Sequence, residues 1–139
     1  MDWMSAFGDV NYLAVIVATL STLVVGFVWY AEWSFGSEWM GHVGLTDDDI
    51  ANPNPLTYVW TVTGSFVAAL TLAALMVVTG TDTAVGGLVF GIVAGVAFRV
   101  TVHVMHNGFA MRSGRLTLID GLHDVVQTGV MGLIIGLFG

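Results

Sequence analysis

Leu116-Thr117-Leu118-Ile119-Asp120-Gly121-Leu122-His123-Asp124-Val125-Val126-Gln127-Thr128-Gly129-Val130-Met131-Gly132-Leu133-Ile134-Ile135-Gly136-Leu137-Phe138 decides the fold. Its second half is apolar enough for lipid, yet its first half carries two aspartates, a histidine and a glutamine. A helix crossing a bilayer can hold such groups only if they face protein or a water-filled cavity. At ~100° per residue, Asp120, His123, Asp124 and Gln127 fall within an arc of about 100° and form one face.

The preceding apolar segment offers a counterpart. Arg99, His103 and His106 stand at i, i+4 and i+7, within about 60° of one another around a helix. The connection between the two segments is short, so the helices are expected to pack antiparallel, with residues equidistant from the turn at one depth. Arg99 and Asp124 share a midpoint between Met111 and Arg112, and so do His103 and Asp120. The predicted pairs are Arg99 with Asp124, lying deepest, and His103 with Asp120 one turn nearer the surface. His123 and Gln127 would extend this seam.

Two further spans lie upstream. Val10 to Ala31 is a charge-free run of 22 residues, enough at ~1.5 Å per residue to cross ~30 Å of hydrocarbon. It ends in Trp29, Tyr30 and Trp33, expected as an interfacial aromatic cluster. A second span covers residues 56–79, opened by Pro53 and Pro55 and closed by Gly80. With spans near 84–107 and 116–138, the expected fold is all-α: one membrane domain over residues 1–139, an integral four-helix bundle.

Composition agrees with a bilayer as the solvent. Hydrophobic residues make up 56% of the chain and charged residues 9%, with a mean hydropathy of +0.86. The opening residues lack the basic region of a secretory signal, so the first span is expected to be permanent. No cysteine is present, which excludes disulfides and thiolate chemistry, and the absence of lysine excludes a retinal or pyridoxal Schiff base. The net charge of −7 argues against nucleic acid as a partner. A lysine-free, Asp-rich balance also suits a halophilic protein, because dense carboxylates stay hydrated and screened in high salt.

Four helices in alternation bring both termini to one side and the two other connections, Glu32 to Pro55 and Gly108 to Arg115, to the opposite side. Arg112 and Arg115 make that side cytoplasmic under the positive-inside rule, so both termini are expected to be extracellular and the chain a multi-pass cell-membrane protein. The stretch from Glu32 to Leu45 mixes bulky apolar and polar residues, as an interfacial helical segment between the first two spans would. Thr46 precedes Asp47, Asp48 and Asp49, a helix start with carboxylates at its positive end, halted by Pro53.

Small residues recur at helical spacing in three stripes: Gly87, Gly91 and Gly95; Ala14, Ala18, Thr22 and Gly26; and Gly129, Gly132 and Gly136. Such stripes let backbones approach where lipid supplies no hydrophobic drive for association. Packing within one chain and self-association both use them, and a homo-oligomer is expected from their number.

The seam supports several chemistries. His103, His106 and His123 with Asp120 or Asp124 form a nitrogen and oxygen set suited to a divalent metal such as zinc. Haem held between histidines would need a wide apolar slot that glycine-rich packing does not leave. A cation or proton path could use the same aspartates and histidines. The bland alternative is a structural or accessory subunit whose ion pair fixes helix register. No phosphate loop, nucleophile elbow or HExxH occurs, and Ser113 is a lone loop serine, so no enzyme is expected.

Asn11-Tyr12-Leu13-Ala14, Gly26 with Trp29-Tyr30, Phe35-Gly36, Trp39-Met40 and Gly44-Leu45-Thr46 resemble the opening of a small membrane family catalogued as domain of unknown function 1761. An arginine-containing turn (Arg112, Arg115), then Asp120, His123 and Met131-Gly132, resembles its later pattern. The resemblance implies four spans and no defined activity. The chain departs from the family pattern in lacking lysine in the long connection, and Asp124, Arg99, His103 and His106 stand outside that pattern.

Overall fold

The structure, a computed structural model, describes residues 3–139; Met1 and Asp2 of the acidic opening lie outside the described residues. The chain is all-α, and four of its helices are long and apolar enough to cross a membrane. A short α1, Trp3–Gly8, precedes α2, Tyr12–Trp29. Helices α3, Gly36–Val43, and α4, Asp47–Ala51, occupy the long connection. Then come α5, Pro55–Thr79, α6, Ala84–Phe109, and α7, Gly114–Leu137. The long helices begin and end within two residues of the runs expected from the sequence.

Local chemistry sets these boundaries. Side chains of Asn11, Asn54, Thr83 and Ser113 each accept from a backbone N–H in the first turn of the helix they open, and Pro55 stands at the first position of α5. Thr46 and Asp49 form a reciprocal capping box at α4, as the Thr-Asp-Asp-Asp run predicts. Gly80 closes α5 in the left-handed conformation, at a φ of 68°.

Near the chain termini the bundle is tightly closed. Val15 and Ala18 of α2 pack with Ala69, Ala73 and Met76 of α5 and with Met131 of α7. Ala6 of α1, a helix without periodicity in the sequence, is wholly buried beneath them. Helices α6 and α7 meet through glycine: a Cβ on Gly87 would strike the Gly132 carbonyl oxygen, one on Gly132 the Gly87 carbonyl oxygen, and one on Gly91 that of Thr128. Gly136 stands likewise against Thr83, and Gly95 and Gly129 against Thr128 and Ile92. In the remaining stripe Ala14, Ala18 and Thr22 are buried and Gly26 backs onto His123. All three stripes are thus occupied within one chain, the packing reading of the two open in the sequence.

The opposite half is open. The first ten residues of α5, Pro55 to Gly64, are exposed along their whole length. Trp60 is 70% exposed, and the first buried residue of α5 is Ser65, whose Oγ lies 3.0 Å from Thr22 Oγ1. Between that splayed half of α5, the second half of α2 and the first half of α7 lies a cleft of about 1410 Å³, roofed by α3 and α4.

Candidate functional site

Asp124 is the centre of the polar seam. It sits near the middle of α7, 7% exposed, where the pitch of the helix turns it toward α6. Arg99 Nε lies 3.0 Å from Asp124 Oδ2, so the expected deep ion pair forms. Both oxygens are engaged: His103 Nε2 also approaches Oδ2, at 2.9 Å, and His123 Nδ1 lies 3.3 Å from Oδ1.

His103 therefore pairs with Asp124 and not with Asp120, which corrects the expected register. Residues Gly95–Val100 form a π-helical turn, with i→i+5 hydrogen bonding, inside α6. A wider turn advances less along the axis for each residue, so everything after it lies deeper than in a straight α-helix. This lag, together with the reach of the imidazole, sets His103 Nε2 against Asp124 Oδ2. Beyond that turn no residue of α6 is buried. A single further tether, Asn107 Nδ2 donating to Thr117 Oγ1 at 3.0 Å, holds its end to α7.

Asp120 is claimed from the other side. The Tyr30 hydroxyl donates to Asp120 Oδ1 at 2.9 Å, and Trp29 Nε1 donates to the Ile119 carbonyl at 3.2 Å. Trp29 and Tyr30 thus turn inward onto α7 from the end of their span, while Trp33, the third residue of the aromatic cluster, is exposed, at 75%. The signal was available, since the end of α2 and the start of α7 lie at the same level of an alternating bundle. The seam is built by three helices, not two.

His123 lies between these groups, its ring 4.9 Å from that of Tyr30 and 6.1 Å from that of Trp29. Nδ1 is the ring nitrogen turned to Asp124, which leaves Nε2 on the other side of the ring. Nε2 is a buried side-chain nitrogen without a hydrogen-bond partner, and it faces Gly26. Gln127, also buried, borders the cleft.

His106 is exposed and joins none of this. One residue before Asn107, it stands on the outer side of α6, where the wide turn has rotated it away. The set of His103, His106, His123 and Asp120 is consequently not assembled, and among the described residues no group of three or more His, Asp or Glu is placed to hold a metal ion.

The roof is docked by contacts that the sequence does not announce. A Cβ on Gly36 would strike the Tyr30 carbonyl oxygen, so only glycine lets α3 fold back this closely. That places the Trp39 ring 5.1 Å from the ring of Tyr30. Arg115 donates through Nε and Nη2 to the two Glu38 oxygens, at 2.6 and 3.3 Å, and the Ser113 hydroxyl lies 3.1 Å from His42 Nδ1.

The bond from Arg115 holds the Glu38 carboxyl below its ordinary range. A carboxylate depressed on folding contributes above its unfolded range, and the contribution is lost as pH falls through the depressed value. Acidification through that window should therefore release α3. Amide exchange of residues 36–43 should rise there, and Glu38→Gln should show the fast exchange at neutral pH. Exchange unchanged in the variant would mean the pair does not hold the roof. Because the pair is exposed, salt should weaken it as well.

Asp120, His123, Asp124, Gln127 and Arg99 together floor the cleft, with Thr22 and Ser65 beside them, while its walls are aromatic and aliphatic. Ionisable groups inside the apolar part of the chain thus face an open space. Comparison with curated proteins finds no match, and comparison with solved structures finds none. A family model described as Protein of unknown function (DUF1761) matches residues 13–136, nearly the whole chain and every helix that borders the cleft. With its four long apolar helices the chain is a multi-pass membrane protein, and it belongs to the family Protein of unknown function (DUF1761).

Proposed function

We propose that the protein is a non-catalytic membrane protein that binds and exchanges a monovalent cation or a proton at the floor of this cleft. The observation that carries the reading is Asp120. Among the described residues it makes no ion pair, yet it lies in an apolar span and borders a cleft of about 1410 Å³. A carboxylate in an apolar span that no ion pair neutralises favours a bound cation, since intramembrane acids otherwise pair with a cationic side chain. Arg99 does not serve, being engaged with Asp124.

The two aspartates therefore divide the roles that the sequence leaves together. Asp124, saturated by Arg99, His103 and His123, suits a structural clamp, which is the alternative reading in which the seam only fixes packing. Asp120 is the exchangeable site. The roofed side, carrying Arg112 and Arg115, is assigned to the cytoplasm by the positive-inside rule, with both termini outside.

Trp29, Tyr30 and Trp39 report on this floor by their proximity. In lipid nanodiscs the intrinsic fluorescence should respond saturably to an added monovalent cation, and Asp120→Asn should remove that response while the protein still elutes as an assembled species. If Asp120→Asn instead reduces assembly and leaves the response intact, the site is a packing device and this reading is wrong.

A further inference from the structure

We propose that the cleft takes an organic cation with an apolar body, of the quaternary ammonium or phosphonium class, its charge against Asp120 and its body against the aromatic walls. This rests on the reading of Asp120 as an exchangeable site and names the cation.

Size is the first consideration. A bare monovalent ion occupies a small fraction of about 1410 Å³, whereas sites for small organic molecules run to ~300–1,000 Å³. The walls come second. Phe27 and Tyr30 on the α2 side, Trp39 on the roof, and Tyr58 and Trp60 on α5 all border the cleft. Tyr30 and Trp39, with ring centroids 5.1 Å apart and planes at 60°, present two differently directed π faces beside the carboxylate that Tyr30 itself touches. A cation lacking N–H donors is attracted to such faces by their quadrupoles, more strongly where water is excluded.

Charge then separates cations from anions. Asp49, Asp120 and Asp124 border the cleft, and Arg99 is the one arginine among its lining residues. The guanidinium is neutralised by Asp124 at 3.0 Å, so an anionic head group would meet the carboxylates of Asp49 and Asp120, and among the described lining residues no other arginine faces them. Asp49 Oδ2 is bound to the Thr46 hydroxyl and backbone N–H, whereas Asp120 accepts a bond only at Oδ1 from Tyr30. Asp120 Oδ2 is left for the ligand.

The probe pair is tetraphenylphosphonium and tetraphenylborate, of one shape and opposite charge, titrated onto the whole protein in nanodiscs with tryptophan fluorescence and calorimetry as readouts. Saturable binding of the phosphonium, none of the borate, and a loss of roughly tenfold or more in affinity in Asp120→Asn are expected. Trp60→Leu, which breaks no hydrogen bond given the exposure of Trp60, should weaken the phosphonium severalfold and serves if Asp120→Asn does not assemble. Equal binding of the two ions, or affinity unaltered in both variants, would overturn the proposal. Absence of phosphonium binding alongside an intact, Asp120-dependent response to the monovalent cation would sink this inference alone; absence of both would remove the underlying reading as well.

Discussion

Replacing Gly132 by alanine should cost the protein most of its resistance to unfolding. The added methyl would meet the carbonyl oxygen and carbon of Gly87, which belong to a helix backbone and cannot turn aside as a side chain could. Overpacking a well-filled contact typically costs ~1–3 kcal/mol, and a backbone-on-backbone collision belongs at or above the upper end of that range. Relief requires α6 and α7 to separate, which would strip Gly91 from Thr128 and Gly136 from Thr83 in the same movement. Gly41→Ala is the control. That glycine lies within α3 with nothing near the position of a new Cβ, so alanine there should be neutral or mildly stabilising through helix propensity. Denaturation midpoints in mixed micelles distinguish the two; a Gly132→Ala midpoint equal to that of the unaltered protein would mean that these helices do not meet as described.

The second large effect is expected at Asp124. Asp124→Leu removes the carboxylate that neutralises Arg99 and receives His103 and His123, leaving a guanidinium in the apolar part of the chain. Removing one partner of a buried pair costs ~3–5 kcal/mol. The Arg99 side chain is 36% exposed toward the cleft, so hydration should hold the loss near the lower end. The double variant Arg99→Met with Asp124→Leu should regain much of it, because apolar replacement of both partners leaves no charge stranded. A double variant no better than the single one would show that the instability comes from lost packing and not from the orphaned arginine.

Sequence and structure agree where one physical rule acts alone. Runs without charge and a few capping side chains suffice to locate the helices, and a symmetric count from the turn finds Arg99 opposite Asp124. The count fails at His103 because it assumes a uniform rise, and the wide turn at Gly95–Val100 leaves no mark in hydropathy. Tyr30 illustrates a different difficulty. An aromatic residue at the end of a span satisfies either an interfacial or an inward position, and only the packing of α2 on α7 chooses between them. The cleft was illegible for a third reason: it arises from a helix half left exposed, and exposure in lipid and exposure to a cavity select the same apolar side chains.

The wide turn divides α6 into unlike lengths. Before it, glycines lock the helix to its neighbour along an unbroken stripe; after it, the same helix is retained by the imidazole of His103 and the amide of Asn107. Thermal fluctuation must therefore be lopsided, with the roofed end of the hairpin opening at small cost while the end near the termini breathes only when the whole bundle comes apart.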